Sequence, residues 1–284
     1  MPELPEIEAI VQQLAARTTG KVVVAGHLVA FSALKTYAVG LEALAGLEIS
    51  GVSRRGKFID MDAQGVHLIF HLARAGWVTW HPRVPASLPR PGKSPLALRV
   101  ELDDNSGFSL TEAGTQRHLS IYVVTSPDEV PGIAALGPDP MSEDFTVEVL
   151  SGILRDAGRG QVKGVLRDQK LIAGIGNAWS DEILHTAQLS PFKPANTVDA
   201  AELHGHIRRV LSDALEAVRG VDMAKLKDAK RSGLKVHGRA GESCEVCGAT
   251  IAEVSFADSS LQYCPGCQTG GKPLADRRMS KLLK

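Results

Sequence analysis

The chain of 284 residues lacks three things: a net charge, a long apolar run and more than a few cysteines. Its 32 Lys and Arg balance 32 Asp and Glu, so no overall electrostatic field drives the protein toward nucleic acid. The absence of a long apolar run excludes a membrane-spanning helix, and no signal-peptide pattern opens the sequence. We therefore expect a soluble cytoplasmic protein, in which 44% hydrophobic residues supply the cores of about two domains.

Charge is distributed unevenly along this balanced chain. From Val221 to the C-terminus there are 11 Lys and Arg against 7 Asp and Glu, which leaves the preceding part with a net charge of −4. A nucleic-acid function would therefore depend on the local placement of basic residues. The last segment, 272–284, is rich in these cations, and we interpret it as a basic tail.

Apolar spacing predicts one helix followed by a β-rich segment. Residues 5–18 carry apolar side chains at helical intervals, so a helix is expected there. Between 21 and 124 the pattern changes to short β-type runs, separated by turn residues such as those at 103–107. Several short strands at this spacing are typical of a β-sandwich or barrel.

The residues that follow predict a linker, a helical region and a small C-terminal module. The sequence LGPDP at 136–140 indicates a rigid linker, and Ser142 with Asp144 nearby offers a helix start. Helical segments are expected to continue to about Lys230. The predicted boundaries are an N-terminal β-sandwich domain at 1–130, a linker at 131–141, a helical domain at 142–234, a metal-binding finger at 235–271 and the tail at 272–284.

The predicted finger contains all four cysteines of the chain. Cys244 and Cys247 form one Cys-x2-Cys pair, and Cys264 and Cys267 form a second pair after 16 intervening residues. This spacing is typical of a four-thiolate zinc site in which two tight turns flank a β-hairpin, here 252–263. A module of about 50 residues has too small a core to fold unaided, so metal binding would supply the missing free energy. A disulfide pair or free thiols are the alternative.

The chain begins with the sequence MPELPE, which combines a potential amine nucleophile with carboxylates. Removal of Met1 would leave Pro2 with a secondary amine beside Glu3. An α-amino group titrates near about 8, so part of it is unprotonated at neutral pH. Its attack on a sugar aldehyde gives a cationic iminium, which is Schiff-base catalysis. The alternative is structural: Pro2 and Pro5 lead into a helix whose dipole Glu6 favours.

A glycine-rich stretch, AGIGNAW at 173–179, precedes a second helical pattern. Glycines there would let the backbone approach a phosphate at a helix N-terminus, where amide donors and the dipole favour anions. Asn177 would add a side-chain donor. A tight turn between two helices also requires glycine, so both interpretations stay open at this point.

Taken together, these motifs resemble the formamidopyrimidine-DNA glycosylase and endonuclease VIII family, base-excision repair enzymes for damaged bases. The resemblance extends over nearly the whole chain, and Leu4 favours the formamidopyrimidine branch. The motifs that carry it are PELPE at 2–6, RGKF at 55–58, His71-Leu72, the linker at 136–140, GIGN at 174–177 and HGR at 237–239.

The resemblance implies roles for individual residues. Pro2 would attack C1′ of the damaged nucleotide, and Glu3 would act as the acid and base at the ribose ring oxygen. Glu6 would support them, and Lys57 with His71 and Asn177 would hold phosphates that flank the extruded nucleotide. The implied catalytic residues are Pro2, Glu3, Glu6 and Lys57, and the implied DNA-binding residues are His71, Arg74, Arg117, Leu119, Asn177 and Arg239.

Two regions depart from the family pattern. Where the family has an arginine five residues before the third finger cysteine, this chain has Ser259, with Asp258 beside it. The loss of one charge-assisted phosphate contact costs about 1.5–3 kcal/mol. In the β-domain, Arg74 stands where relatives carry a methionine, and RHL at 117–119 replaces an arginine pair followed by phenylalanine. Leu119 is still suited to act as an apolar wedge between bases.

The sequence thus predicts an α+β multidomain protein with an N-terminal β-sandwich and flanking helices, a helix-two-turn-helix domain and a C-terminal four-cysteine zinc finger. The predicted function is a DNA glycosylase with AP lyase activity on damaged or abasic duplex DNA. We expect a monomer at the nucleoid, with one structural zinc and no nucleotide cofactor or catalytic metal. The tail at 272–284 would return toward the DNA and partly replace the missing arginine.

Two other functions stay open on the sequence alone. The first is a protein of the same fold that binds damaged or abasic DNA with weak or no catalysis, and Ser259 favours it. The second is a zinc-ribbon protein in transcription or assembly, which only the cysteines support.

Overall fold

The computed structural model describes residues 1–89, 94–114, 116–256 and 259–275. The predicted tail beyond 275 and Asp258 lie outside these residues. The chain forms two compact units. The first comprises Met1–Ala135 and Val218–Lys227, and the second comprises Leu136–Ala217 with the chain from Asp228 onward. Within the described ranges, no helix is both long and apolar enough to cross a membrane.

Over its described residues the first unit contains eight strands, and the β-type pattern predicted short strands of this kind. They are β1 (Val23–Leu28), β2 (Gly51–Arg55), β3 (Phe58–Ala63), β4 (Val66–His71), β5 (Gly76–His81), β6 (Leu96–Leu102), β7 (Gly107–Glu112) and β8 (Ser120–Val124). One antiparallel sheet has the order β1-β6-β7-β5, and the other has the order β2-β3-β4-β8.

Side chains that alternate along these strands form a single core between the two sheets. On β3, for example, Ile59, Met61 and Ala63 are all buried in it. Phe70 of β4 and Phe108 of β7 come from different sheets, and their ring centroids are 6.2 Å apart. Period-two burial of this kind is what a β-sandwich requires. The predicted sandwich is confirmed.

The helix predicted at 5–18 forms as α1 (Leu4–Thr18). Its apolar positions Ile7, Ile10 and Leu14 are buried against the same core. A proline in the first turn is compatible with this start, because the first N–H groups of a helix have no partner within it. The helix packs on β2 and β3, so its N-terminus has a defined position relative to that sheet.

A distant segment returns to pack on α1. The Gln13 side chain donates to the Val221 carbonyl at 3.0 Å and accepts the Met223 N–H at 2.9 Å. Sequence patterning assigned these residues to the helical domain at 142–234, whereas they belong to the first compact unit. The start of the predicted linker likewise forms a short helix, α2 (Pro131–Ala134), whose Ile133 is buried beside strand residues.

The second unit is helical before the finger. Its helices are α3 (Val147–Ala157), α4 (Val162–Arg167), α5 (Asn177–Thr186), α6 (Ala200–Val218) and α7 (Leu226–Gly233). The last residue of α6 and the first two residues of α7 belong to the first unit. The first of these helices begins later than the sequence predicted. Thr146 accepts the Val149 N–H and caps α3, whereas the Ser142 hydroxyl accepts the Asp144 N–H in a separate turn.

The finger contains the predicted hairpin, β9 (Ala252–Ser255) paired antiparallel with β10 (Ser260–Tyr263), followed by α8 (Pro265–Thr269). Among the described residues of the finger the apolar clusters are small, and one contains Val236, Ile251 and two of the cysteines. The Tyr263 hydroxyl accepts the Leu274 N–H at 2.7 Å, which fixes the chain just after the finger. Such small clusters leave room for a metal to contribute to stability.

Candidate active site and metal centre

Two buried carboxylates lie at the start of α1. The Glu3 side chain accepts the Glu6 backbone N–H, and Glu6 Oε2 accepts the Glu3 N–H at 2.7 Å. Glu3 and Glu6 are 2% and 1% exposed, Pro2 is buried beside them, and Met1 is exposed. This reciprocal capping pairs N–H groups at the helix start and holds both carboxylates next to Pro2.

Lys57 lies in the two-residue turn between β2 and β3. Gly56 precedes it with a φ of +57°, which such a tight hairpin turn favours. Arg54 connects this turn to α1, because its Nε donates to Glu8 Oε2 at 2.9 Å and its Nη1 donates to the Gly56 carbonyl at 3.4 Å. The Lys57 side chain is buried. The Arg54 bridge therefore fixes the Lys57 turn relative to the helix that begins after Glu3.

His71, at the end of β4, is a neutral hydrogen-bond donor rather than a cation. Burial, reinforced by the charge of Lys57, lowers the pKa of His71 to about 4. Its Nδ1 accepts the Ala73 N–H at 3.2 Å, so the single proton of the neutral ring is at Nε2. The ring packs against Phe58, with centroids 4.9 Å apart. The structure therefore brings Lys57 and His71 together.

The lowered pKa of His71 predicts a loss of stability in mild acid. The unfolded chain takes up a proton on His71 near pH 6.5, whereas the folded protein resists it down to about pH 4. Between these values the free energy of unfolding should fall by up to about 1.4 kcal/mol per pH unit as pH decreases. Urea unfolding across this range should show a flatter slope for H71Q, whereas substitution of the exposed His118 by glutamine should leave the slope unchanged. An equal slope in H71Q would contradict the assignment.

The other predicted DNA-binding residues of the first unit differ in exposure. Arg74 and Arg117 are exposed, whereas Leu119 is 2% exposed and belongs to the sandwich core. The Glu112 carboxylate accepts the His118 and Leu119 N–H groups at 2.8 and 3.0 Å, which holds this segment in place. In this conformation Leu119 offers no surface to DNA. The wedge role predicted for it requires the segment to leave the core.

The glycine-rich turn is organised by a glutamine that the sequence analysis did not single out. Gln169 Nε2 donates to the Ile175 carbonyl at 2.7 Å, and its Oε1 accepts the Gly174 N–H at 3.0 Å. Gly174 has a φ of +88°, which explains the need for glycine. Asn177 begins α5, and its Nδ2 donates to the Ser260 carbonyl of β10 at 2.7 Å. The Asn177 side-chain amide thus connects α5 to the finger, and its NH₂ group has a second N–H beside the one used in this hydrogen bond.

A buried ion pair lies next to the glycine-rich turn and contacts Asn177. Lys163 and Asp181 are 3% and 0% exposed, and Lys163 Nζ lies 2.5 Å from Asp181 Oδ1. The same Nζ donates to the Asn177 carbonyl at 3.1 Å. Asp181 Oδ2 lies 2.8 Å from His237 Nδ1, at the start of the finger region. The Asp181 carboxylate therefore contacts His237 directly and is connected to the Asn177 carbonyl through Lys163.

Glu182 holds the chain that enters the finger. Its carboxylate accepts three consecutive backbone N–H groups, those of Lys235, Val236 and His237, at 2.9 to 3.0 Å. Burial raises the pKa of Glu182, although these three donors oppose the rise. Three hydrogen bonds to one side chain order this segment, which otherwise has no regular secondary structure.

The four cysteines are reduced and converge on one point. The Sγ atoms of Cys244 and Cys267 are 3.9 Å apart, and those of Cys247 and Cys264 are 3.3 Å apart. Four sulfurs around a tetrahedral zinc at about 2.3 Å would lie about 3.8 Å from one another, so the residues fit this ion. Burial raises the pKa of the Cys264 thiol, so its ionisation calls for a cation. His185 lies within 4.8 Å of three of the sulfurs.

Arg239, a predicted DNA contact, is paired within the finger region. Its Nε lies 2.8 Å from Glu242 Oε2, and its Nη1 lies 2.6 Å from Glu245 Oε1. These two carboxylates raise the pKa of Arg239 further above its usual value. Much of its positive charge is therefore balanced locally, and its DNA contact stays a prediction.

Sequence reasoning assigned no role to Asp181, Glu182 or His185. All three are almost fully buried on α5, a helix that is buried from Ala178 to His185. Titratable side chains interspersed with large apolar ones on a short helix are a signal of buried partners, because unpaired charges are costly in an interior. The signal does not identify the partners, which are distant in sequence.

The sequence matches three family models. Residues 1–118 match the formamidopyrimidine-DNA glycosylase N-terminal domain, and residues 136–224 match the formamidopyrimidine-DNA glycosylase H2TH domain. Residues 241–270 match the zinc finger found in FPG and IleRS. Together with the cluster of sulfurs, this last match confirms the predicted structural zinc.

Relatives and solved structures agree with these matches. The formamidopyrimidine-DNA glycosylase of Symbiobacterium thermophilum is 33% identical over 298 residues, covering 98% of this chain and 93% of that protein. An uncharacterized formamidopyrimidine-DNA glycosylase-like protein of Mycobacterium tuberculosis is 56% identical over 153 residues, which cover 53% of this chain and 95% of that protein. The solved structure of the Lactococcus lactis formamido-pyrimidine DNA glycosylase, non-covalently bound to DNA with an AP site, aligns with a TM-score of 0.79 at 27% identity. The alignment covers 94% of this chain and 99% of that chain. The predicted family and fold class are confirmed: the chain belongs to the formamidopyrimidine-DNA glycosylase family.

Proposed function

We propose that this protein removes damaged bases from duplex DNA and cuts the strand at the resulting abasic site, with the amine of Pro2 as nucleophile. The predicted class, a base-excision repair glycosylase for damaged DNA, is confirmed by the relatives. The catalytic steps are our proposal. The observation that carries it is the pair of buried carboxylates, Glu3 and Glu6, held beside Pro2 at the start of α1.

The chemistry uses the processed N-terminus. The Pro2 nitrogen bonds to C1′, the C1′–N bond to the base breaks, and the base leaves with the proton that the amine releases. Glu3 protonates the ring oxygen, so the sugar opens to an iminium at C1′. The iminium draws electrons from C2′, which loses a proton, and the 3′ phosphate then leaves by elimination. Water finally hydrolyses the iminium and regenerates the amine.

Each unit, taken by itself, has residues that are suited to hold the DNA backbone. Lys57 supplies a positive charge, and His71 beside it supplies a neutral N–H donor. Asn177 would contribute its second amide N–H from the glycine-rich turn. Arg74 and Arg117 are exposed cations on the first unit. Such phosphate contacts fix the register of the protein on DNA without reading sequence.

Borohydride trapping on an abasic duplex tests the proposal. The protein should first be shown by mass spectrometry to begin at Pro2. Reduction of the iminium by borohydride should then give a stable protein–DNA adduct of one-to-one mass. If the protein binds the abasic duplex but neither forms an adduct nor cuts the strand, the lyase proposal is overturned.

The matched control keeps every side chain and changes only the nucleophile. A protein with an extra residue ahead of Pro2, resistant to processing, has this nitrogen in an amide bond. It should bind the same duplex and give no adduct. An adduct from this protein would assign the chemistry to another amine, such as that of a lysine.

A damaged-DNA binding protein with little catalysis is the second candidate, and the charge of the finger favours it. Residues 241–270 contain four acidic residues and no Lys or Arg, and Ser259 stands where the family has an arginine. Arg239 just before them is paired with Glu242 and Glu245. A DNA affinity that depends only weakly on salt concentration, together with the absence of a borohydride-trapped adduct, would decide for this function.

The same proposal extends to organisation and location. The predicted segments 1–130, 142–234 and 235–271 would serve catalysis, DNA binding and metal binding, respectively. A chromosomal substrate would place the protein at the nucleoid in the cytoplasm, acting as a monomer.

A further inference from the structure

A histidine lies against the finger sulfurs, on the helix that begins at the glycine-rich turn. His185, in the last turn of α5, is 4% exposed, and its Nε2 lies 3.4 Å from Cys244 Sγ. One ring nitrogen of His185 and the Sγ atoms of Cys244, Cys264 and Cys267 all lie within 4.8 Å of one another. A separation of 3.4 Å suits an N–H···S hydrogen bond, because sulfur is larger than oxygen. His185 is therefore in contact with the metal site and not merely near it.

The chemistry of the metal site decides which atom donates. A cysteine bound to zinc is a thiolate and can only accept a hydrogen bond. The neutral imidazole has one N–H, and within the described chain His185 Nδ1 is buried without a partner. A proton on Nε2 satisfies the Cys244 sulfur and leaves only a lone pair at Nδ1. The other tautomer would bury an unpaired N–H and direct a lone pair at the thiolate.

Within the described residues, the Cys244 sulfur also lacks a backbone donor of the kind that the Cys264 sulfur has. The Cys267 backbone N–H donates to Cys264 Sγ at 3.5 Å. Among the residues described, no backbone N–H donates to Cys244 Sγ, whose contacts are Cys267 Sγ and His185 Nε2. Four thiolates on one Zn²⁺ carry a net charge of −2, so such donors stabilise the cluster.

We propose that His185 is a positioning residue of the metal site: its Nε2–H donates to the Cys244 thiolate and determines how tightly the finger retains zinc. The proposal does not depend on the proposed catalytic chemistry. It also gives α5 two attachments to the finger, at opposite ends of the helix. Asn177 at the first residue donates to the Ser260 carbonyl, and His185 at the other end donates to Cys244. Retention of zinc would thereby hold Asn177 and the hairpin in register.

The zinc affinities of two variants test the hydrogen bond from His185 to Cys244. H185F keeps a ring of similar size and removes the donor, whereas H185Q keeps a terminal N–H. Removal of an outer donor typically weakens metal affinity by about 10- to 100-fold. Competition with a zinc chelator should show that loss for H185F and a smaller loss for H185Q. The matched control is H204F, which removes a half-buried histidine that donates to the Phe145 carbonyl in the same unit. It should retain zinc like the unmodified protein.

Cobalt substitution separates a hydrogen-bond donor from a direct ligand. With Co²⁺ in the site, H185F should keep the d–d bands of four thiolates, while its thiolate-to-metal charge-transfer band shifts to lower energy. C247S should lose the four-thiolate pattern. The reverse result, in which H185F loses a ligand and C247S leaves the d–d bands unchanged, would make His185 a ligand and overturn the proposal.

A third measurement needs no substitution and therefore does not depend on whether a variant folds. In the zinc-loaded protein, the nitrogen NMR signals of the His185 ring should show a proton on Nε2 and none on Nδ1. An unprotonated Nε2 would overturn the proposed donor, and zinc affinity and cobalt spectra that are unchanged in H185F would show that the ring only fills space.

Discussion

Replacing Glu3 by glutamine is expected to slow base excision by about 10²- to 10⁴-fold, while the fold and DNA binding are retained. Glutamine keeps an oxygen that accepts the Glu6 N–H, so the cap of α1 survives. It exchanges no proton at neutral pH, so it cannot protonate the ring oxygen of the sugar. Single-turnover excision from a duplex with an oxidised base, at saturating protein, measures this chemical step separately from binding.

The control for E3Q is substitution of Glu42 by glutamine, a change of the same kind at an exposed site of the same unit. It should leave the single-turnover rate unchanged. An unchanged rate in E3Q would remove Glu3 from the proposed chemistry. A loss of rate accompanied by a loss of helix content would assign it a structural role only.

Substitution of Lys163 by methionine is expected to destabilise the second unit by about 3–5 kcal/mol. The side chain would still fill its space, but Asp181 would remain buried and charged without its closest cation. The Asn177 carbonyl would lose the same donor. Guanidinium unfolding of the zinc-loaded protein, followed by the fluorescence of the buried Trp179 with Trp77 and Trp80 replaced by phenylalanine, measures the change.

Two further variants show whether the buried charge is the cause. K163M/D181N removes the charge of both partners and should recover part of the lost stability, because no uncompensated carboxylate remains. R155M breaks the exposed pair of Arg155 with Asp156 and should leave the unfolding midpoint unchanged. A midpoint for K163M equal to that of the unmodified protein would mean that the pair contributes no net stability.

Much of the proposed active site was predictable because its members are close in sequence. Pro2, Glu3 and Glu6 share one helix start, so local rules of capping already place them together. The cysteine spacing likewise predicted the zinc site, since each tight turn contributes two sulfurs. By contrast, Leu119 matched a family position in sequence, yet its side chain is buried in the sandwich core. Motifs identify residues, whereas exposure depends on the packing around them.

The sequence by itself determined the elements that depend on short-range patterns: the N-terminal helix, the two-residue alternation of the strands, and the metal-binding hairpin. Tertiary structure alone decided the contacts between distant residues. His185 meets Cys244 across 59 positions, and the Lys163 amine reaches Asp181 on another helix. Residues 218–227 return to α1 through Gln13. The physical reason is that periodicity and turn chemistry act over a few residues, whereas the pairing of a buried polar group depends on which elements the core brings together.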